Sequence, residues 1–457
     1  MPGSVAPRGH AWDRFGFDAA RSNAGPRKTG ITAANVASLV RQQVALDGTA
    51  DSSPIYLAGV TAGGGVHDVF VVTTSYGKTI AVDAASGTVL WRFTPASHDA
   101  LAGSAQITQS SPIADPARSW IYAASPDGFV HKLAVADGTE APGWPVAVTR
   151  DATHEKVGTA LNLARGLLLV TTGGYVGDVP PYQGHVVTID AGTGRIVHVW
   201  NALCSDRAEL LDPTSCPASD AAIWARAGAV VDPATGNLLV ATGNAPFDGR
   251  QNWGDSVLML SPDAGQLLQS WTPTDQAALN VDDADLGSTA PALIGGRLAV
   301  QGGKDGKLRV LSLRRLNGRT RTPGSTGGEL TTVMAPGGGV VLTTPAVWRH
   351  RRRTWLFVAN GRGTMAFITR NARLTVAWQN GTAGTSPVVA GGLLWVYDPA
   401  RGGLNVYRPT SGLLVATLPA GRGHWSSPIV IDGRVALPEG NANDHATTGV
   451  LNLYRLP

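Results

Sequence analysis

Charge is scarce in this chain: only 15% of its 457 residues are Asp, Glu, Lys or Arg. Sulfur is scarcer, with two Cys and four Met. No run of 18 uninterrupted apolar residues occurs, so no membrane-crossing helix is expected. Met1-Pro-Gly-Ser-Val-Ala-Pro-Arg8 has no apolar core of the kind a signal peptide needs. His-Glu-x-x-His, a phosphate-binding loop, a dinucleotide fingerprint and Gly-x-Ser-x-Gly are all missing, which removes the commonest hydrolase and nucleotide chemistries. The plentiful residues are Gly and Pro, 57 and 29, about 19% of the chain where roughly 12% is usual. A long-helix protein could not carry that load, since each costs a helix interior about 1–3 kcal/mol. A disordered chain would hold more charge and fewer than the 13 Trp found here. Collagen is excluded because Gly does not recur at every third position. Short strands and tight turns remain.

The formal charge of +4 does not imply nucleic-acid binding, because the arginines are scattered. The single basic run, 349–353, lies between two apolar segments and reads as a solvated hairpin tip. Cys204 and Cys216 stand twelve positions apart in a polar segment without metal-type partners. A local disulfide and two free thiols are both open; the disulfide suits a chain exported with its leader trimmed, periplasmic or secreted.

A phrase repeats along the chain. Phe70-Val-Val-Thr-Thr-Ser-Tyr-Gly-Lys-Thr-Ile-Ala-Val-Asp83-Ala-Ala-Ser-Gly87-Thr-Val-Leu-Trp91 reads as strand, turn, strand, Asp-x-x-x-Gly turn and a strand ending in Trp. It returns as Asp190…Gly194…Trp200 and as Asp263-Ala-Gly265…Trp271, with weaker copies elsewhere. A small residue followed by Pro opens most units, at Pro54, Pro112, Pro291, Pro345, Pro387 and Pro428. Ala160-Leu161 and Ala227-Gly228 fill the gap, giving eight units. None can bury both faces of its sheet alone, and radial packing solves that. The fold class is therefore all-β: an eight-bladed β-propeller of four-stranded antiparallel blades. Residues 1–33 read as an opening segment and 34–457 as one propeller. The last unit lacks a strand, which 36–46 is expected to supply, closing the ring without a free edge.

The repeat, together with Trp12-Asp-Arg-Phe-Gly-Phe-Asp18 and Ile31-Thr-Ala-Ala-Asn-Val-Ala-Ser-Leu39, resembles the pyrroloquinoline-quinone (PQQ) quinoprotein alcohol dehydrogenases and their tryptophan-docking repeat. The resemblance covers nearly the whole chain and implies PQQ with a calcium or lanthanide ion. It implies oxidation of an alcohol or sugar, with electrons leaving to an external acceptor such as a cytochrome c. Thr242-Gly-Asn244…Gly254-Asp255 is similar to the family's ligand segment, implying Asn244 as a metal ligand. Asp282-Asp-Ala-Asp285 matches the placement of the catalytic base, implying Asp285, which also faces the metal. Gln301-Gly-Gly-Lys304 implies Lys304 as hydrogen-bond donor to the quinone, and Trp224 resembles the Trp on which the ring stacks. The family's glutamate ligand falls near Val176, in Thr172-Gly173-Gly174-Tyr-Val-Gly-Asp178; Val cannot bind metal, and Asp178 is its candidate substitute. Gly173, Gly174 and Asp51 complete the implied cofactor contacts. The family's adjacent-cysteine disulfide and any Cys-x-x-Cys-His haem attachment are absent. Two other readings stand beside the enzyme: a non-catalytic binding or assembly scaffold in the cell envelope, and a propeller binding polymers through exposed Trp.

Overall fold

A computed structural model describes residues 10–457; the reading of residues 1–8 as lacking a signal core lies outside the described residues. Eight antiparallel sheets form the ring, each with four main strands. The first blade is built from Ile55–Ala62, Gly65–Thr73, Thr79–Asp83 and Val89–Phe93, with Ala11–Trp12 added at its inner edge. The eighth consists of Ile429–Ile431, Arg434–Glu439 and Gly449–Arg455, completed by Val40–Leu46. That last strand pairs over its full length, from Val40 opposite Arg455 to Leu46 opposite Gly449. Val36–Ser38, expected to belong to the strand, is a 3₁₀ turn that leads into it.

Each hydrophobic cluster draws on neighbouring blades. Ile55, Val71 and Trp91 of the first blade meet Ile121 and Leu133 of the second, for example. The small-residue–Pro marker has a physical role visible around the axis. The hydroxyls before the prolines bond from blade to blade: Ser111 Oγ accepts from Ser53 N, Ser53 Oγ from Ser427 N, and Ser386 Oγ from Thr344 N. Thr289 and Thr385 donate to carbonyls of the blades that follow theirs. Pro needs no backbone partner at the position where this belt replaces the sheet ladder.

The docking tryptophans are fewer than the repeat implied. Trp91 donates its indole N–H to Val135 O at 2.9 Å and packs on Gly138 of the next blade, whose added Cβ would stand 2.6 Å from the ring. Trp378 does the same to Pro409 O and Gly412. Trp200 and Trp271 do not dock in this way. The docking place lies four residues after the turn glycine, as Gly87 to Trp91, and there the third and fourth blades carry His198 and Gln269. His198 lies against Gly265, and Gln269 bonds Leu313 O and Leu316 N. Trp200 and Trp271, six residues after their glycines, pack instead into the cores shared with the following blade, where Trp271 donates to Glu329.

The opening segment crosses the end of the axis away from the belt. Its carbonyls accept from Ala58, Ala114, Val231, Val347, Val389 and Gly433, and its Ala19 O also takes the Asn162 amide, so seven of eight blades are tied to it. Arg21 is buried at its centre and donates to Phe15, Ala160, Leu161 and Ala227 carbonyls. Burial lowers its guanidinium to about 9, which measures how completely it leaves water. Cys204 and Cys216 form a disulfide. Among the described residues no helix is long and apolar enough to cross a membrane. Arg21→Met is expected to destabilise the protein by at least about 3 kcal/mol, because four carbonyls lose their donor in a dry interior; urea unfolding measures it, and a change below about 1 kcal/mol would show that water replaces the guanidinium.

Candidate active site

Residues just before the hydroxyl belt face the other mouth of the axis, over a cavity of about 260 Å³. Its wall on the fourth and fifth blades is built around Asp285. This side chain is 4% exposed; its Oδ1 accepts the Asn244 backbone N–H at 2.6 Å and its Oδ2 lies 2.8 Å from Lys304 Nζ. The approach depends on Gly243, where an added Cβ would sit 2.6 Å from Asp285 Oδ1. Lys304 also reaches Asp283 at 2.9 Å and lies 5.7 Å from the Trp224 ring centre. Behind Asp285, the buried Asp255 carboxylate accepts from Leu286 N at 3.1 Å, pinning the chain one residue further on. Burial pushes Asp255 up to about 7 and moves Asp285 upward too, with Lys304 opposing the second shift. Burial alone would lower Lys304, but Asp285 and Asp283 outweigh it and raise the ammonium. A buried carboxylate held beside a retained cation is poised to take a proton.

The facing wall is bare backbone. Gly173–Gly174 pairs with Glu155–Lys156 as a two-stranded ribbon. A Cβ on Gly173 would meet Ala222 at 2.9 Å, and one on Gly174 the Tyr182 ring at 2.8 Å, so only glycine permits this packing. Residues 175–178 turn across the mouth, with Val176 74% exposed and the Asp178 carboxylate accepting from Tyr182 Oη at 2.9 Å. Asp220 lies near: burial raises its carboxyl, and Asp178 and Asp285 add to the shift. Asp220 and Ala221 both adopt positive φ, 85° and 54°, a strained pair for residues with side chains. Among the described residues no group of three or more His, Cys, Asp or Glu could hold a metal ion.

Seven residues singled out in the sequence thus line one cavity: Gly173, Gly174, Asp178, Trp224, Asn244, Asp285 and Lys304. Asp51 stands behind the lining, where its carboxylate accepts from Gln109, His424, Trp425 N and Ala442 N. The sequence reading missed Gln109, Lys156, Tyr175, Arg226, His424 and Trp425, which also line the cavity. Two signals were available. Gln109 and His424-Trp425 precede Pro markers just as Asp51 does, and Lys156 is another of the rare lysines.

The comparisons show that this chain is similar in sequence to a quinoprotein alcohol dehydrogenase and shares its fold with quinoprotein alcohol and methanol dehydrogenases. The chain is 27% identical over 316 residues to quinohemoprotein alcohol dehydrogenase ADH IIB of Pseudomonas putida, covering 60% of this chain and 43% of that one. It therefore spans less than half the length of the curated relative it matches. The quinohemoprotein alcohol dehydrogenase of Comamonas testosteroni superposes with a TM-score of 0.72 at 16% identity, over 99% of this chain and 81% of that one. A europium-containing methanol dehydrogenase superposes equally well, 0.72 at 15% identity, over 98% of both chains. No family model matches the sequence.

Asp220 supplies a pH test of this mouth. Its folded-state pKa is raised, so its contribution to stability is present at low pH and is lost as pH rises through that value. Asp220→Asn is expected to raise Tm by about 1–2 °C at pH 8, with the gain vanishing towards pH 4. Thermal unfolding across that range measures it, and a gain that does not vary with pH would contradict the crowding of Asp178, Asp220 and Asp285.

Proposed function

We propose that the protein is a PQQ-dependent dehydrogenase oxidising an alcohol or sugar, with Asp285 as the base. The observation that carries this reading is the Asp285–Lys304 pair set beside Trp224 in one axial cavity. The organic cofactor fits the residues present: Trp224 gives the cavity an aromatic wall for a flat group, and Lys304 supplies a donor beside it. The metal fits only as a shared ion. Asn244, Asp285 and Asp178 offer one amide and two carboxylates, where calcium takes six to eight oxygens, so the remainder of its shell must come from the bound quinone.

When bound, the quinone supplies a two-electron acceptor for the substrate's hydride. Asp285 accepts the hydroxyl proton, and its burial makes the carboxylate a stronger base than one in water. Lys304 keeps that carboxylate ionised between turnovers and donates to ligand oxygens as they gain charge. Trp224 would hold the cofactor by its ring face, and residues 175–178 narrow the mouth of the cavity. The electrons would be passed to an external acceptor such as a cytochrome c. A periplasmic or secreted location is supported by the Cys204–Cys216 disulfide, which needs an oxidising compartment to persist. The scaffold and polymer-binding readings have no observation of their own in this cavity.

Reconstitution with PQQ and Ca²⁺ or a lanthanide, followed by a dye-linked assay over alcohols and sugars, tests the reading. Asp285→Asn is expected to lower kcat by about 10²–10⁴-fold while the quinone absorbance stays with the protein. Silence of the wild type across the panel, with no quinone retained, would sink the proposal. Because the ion is shared, Ca²⁺ alone is expected to leave Tm unchanged and to raise it only when PQQ is present. A shift with Ca²⁺ alone would instead reveal a resident site.

A further inference from the structure

Two cations line the cavity without a carboxylate partner among the described residues, Arg226 and Lys156, and Lys156 has the more open donors. Lys156 is 7% exposed, yet its ammonium lines the cavity. Its three N–H donors meet a single acceptor, Gln109 Oε1, at 3.4 Å, the outer limit of a hydrogen bond. The face of Tyr175 lies 5.4 Å from Nζ. Among the described residues no carboxylate comes within ion-pair distance of it. The nearby Asp51 carboxylate already accepts four hydrogen bonds, from Gln109, His424, Trp425 and Ala442. Arg226, also buried, is turned away: its Nη atoms donate to the Gln109, Gly158 and Asp51 carbonyls. A buried ammonium with open donors is unfavourable until an acceptor arrives. Burial lowers it to about 8, as expected of a charge awaiting its partner.

We propose that Lys156 is an anion anchor: it receives a carboxylate of the ligand that fills the cavity and so fixes which way a flat polycarboxylate lies against Trp224. Asp285 and Asp220 repel a carboxylate and Lys156 attracts one, so the charges bias which end of the ligand approaches the ammonium. The proposal deepens the quinone reading by naming an orienting contact. It rests on that reading for the identity of the natural ligand, not for the existence of the anchor.

The test is binding, read by quenching of Trp fluorescence. The probes are PQQ, its trimethyl ester, and 1,2,4-benzenetricarboxylate, which has carboxylates and no quinone. Lys156→Met keeps the length of the side chain and removes the charge. It is expected to fold with a Tm at or above that of the wild type and to weaken binding of both tricarboxylates by about tenfold or more, the worth of a charged hydrogen bond. Lys156→Arg is expected to stay within a few-fold of the wild type. The ester is expected to bind the wild type no better than PQQ binds Lys156→Met. Equal affinity of wild type and Lys156→Met, equal affinity of acid and ester, or no binding of either tricarboxylate to the wild type would each overturn the anchor. The dye-linked assay separates the two ideas. Lys156-dependent binding without turnover leaves the anchor standing and removes the dehydrogenase; turnover with affinity indifferent to Lys156 does the reverse.

Discussion

The antiparallel pairing of Val40–Leu46 with Gly449–Arg455 is the contact on which the rest of the molecule depends. It joins the two ends of the chain and gives the eighth blade its fourth strand. Without it the eighth sheet would expose an unpaired edge, and the Ser427–Ser53 bond that carries the belt from the last blade to the first would have nothing holding it. A propeller has an axis only when it is closed, and the cavity exists only around the axis. Closure is therefore a condition of the chemistry as well as of stability.

The axis is finished differently at its two ends. One end is filled by the opening segment, where the Arg21 guanidinium satisfies carbonyls left unpaired as the inner strands converge. The other stays open and carries the charges. There a low dielectric raises Asp285 and Asp220 and lowers Lys156, so neighbouring charges matter more than they would in water. Asp285 is paired with Lys304, whereas Lys156 stays unpaired although Asp51 and Asp178 both act on it. That asymmetry comes from which blades carry which residue.

Much of the architecture was legible in the chain because it is repeated. Turn glycines, Asp caps and small-residue–Pro markers recur in most blades, and a signal repeated that often survives the failure of single copies. The docking tryptophans show the limit. Trp200 and Trp271 look like Trp91 in a string of letters, but they stand two residues further from the turn glycine on the same face of the strand, so they meet the next blade deeper in its core and leave the docking place to other side chains. His198 and Gln269 hold the docking place with no resemblance to Trp at all.

For the site, the chain alone points to candidates in recognisable segments: Asn244 after Gly243, Asp285 ahead of Pro291, Lys304 after two glycines, and Trp224. That they line one cavity follows from the fold, because they come from two neighbouring blades and share no local pattern. The same holds for Lys156, whose neighbours in sequence are unremarkable and whose open donors become visible only once the Asp51 carboxylate is seen to be engaged elsewhere. Covalent order repeats the blade, and so a reader of the sequence can find the fold. Charge and burial at the axis are sums over all the blades at once, and no single stretch of sequence contains them.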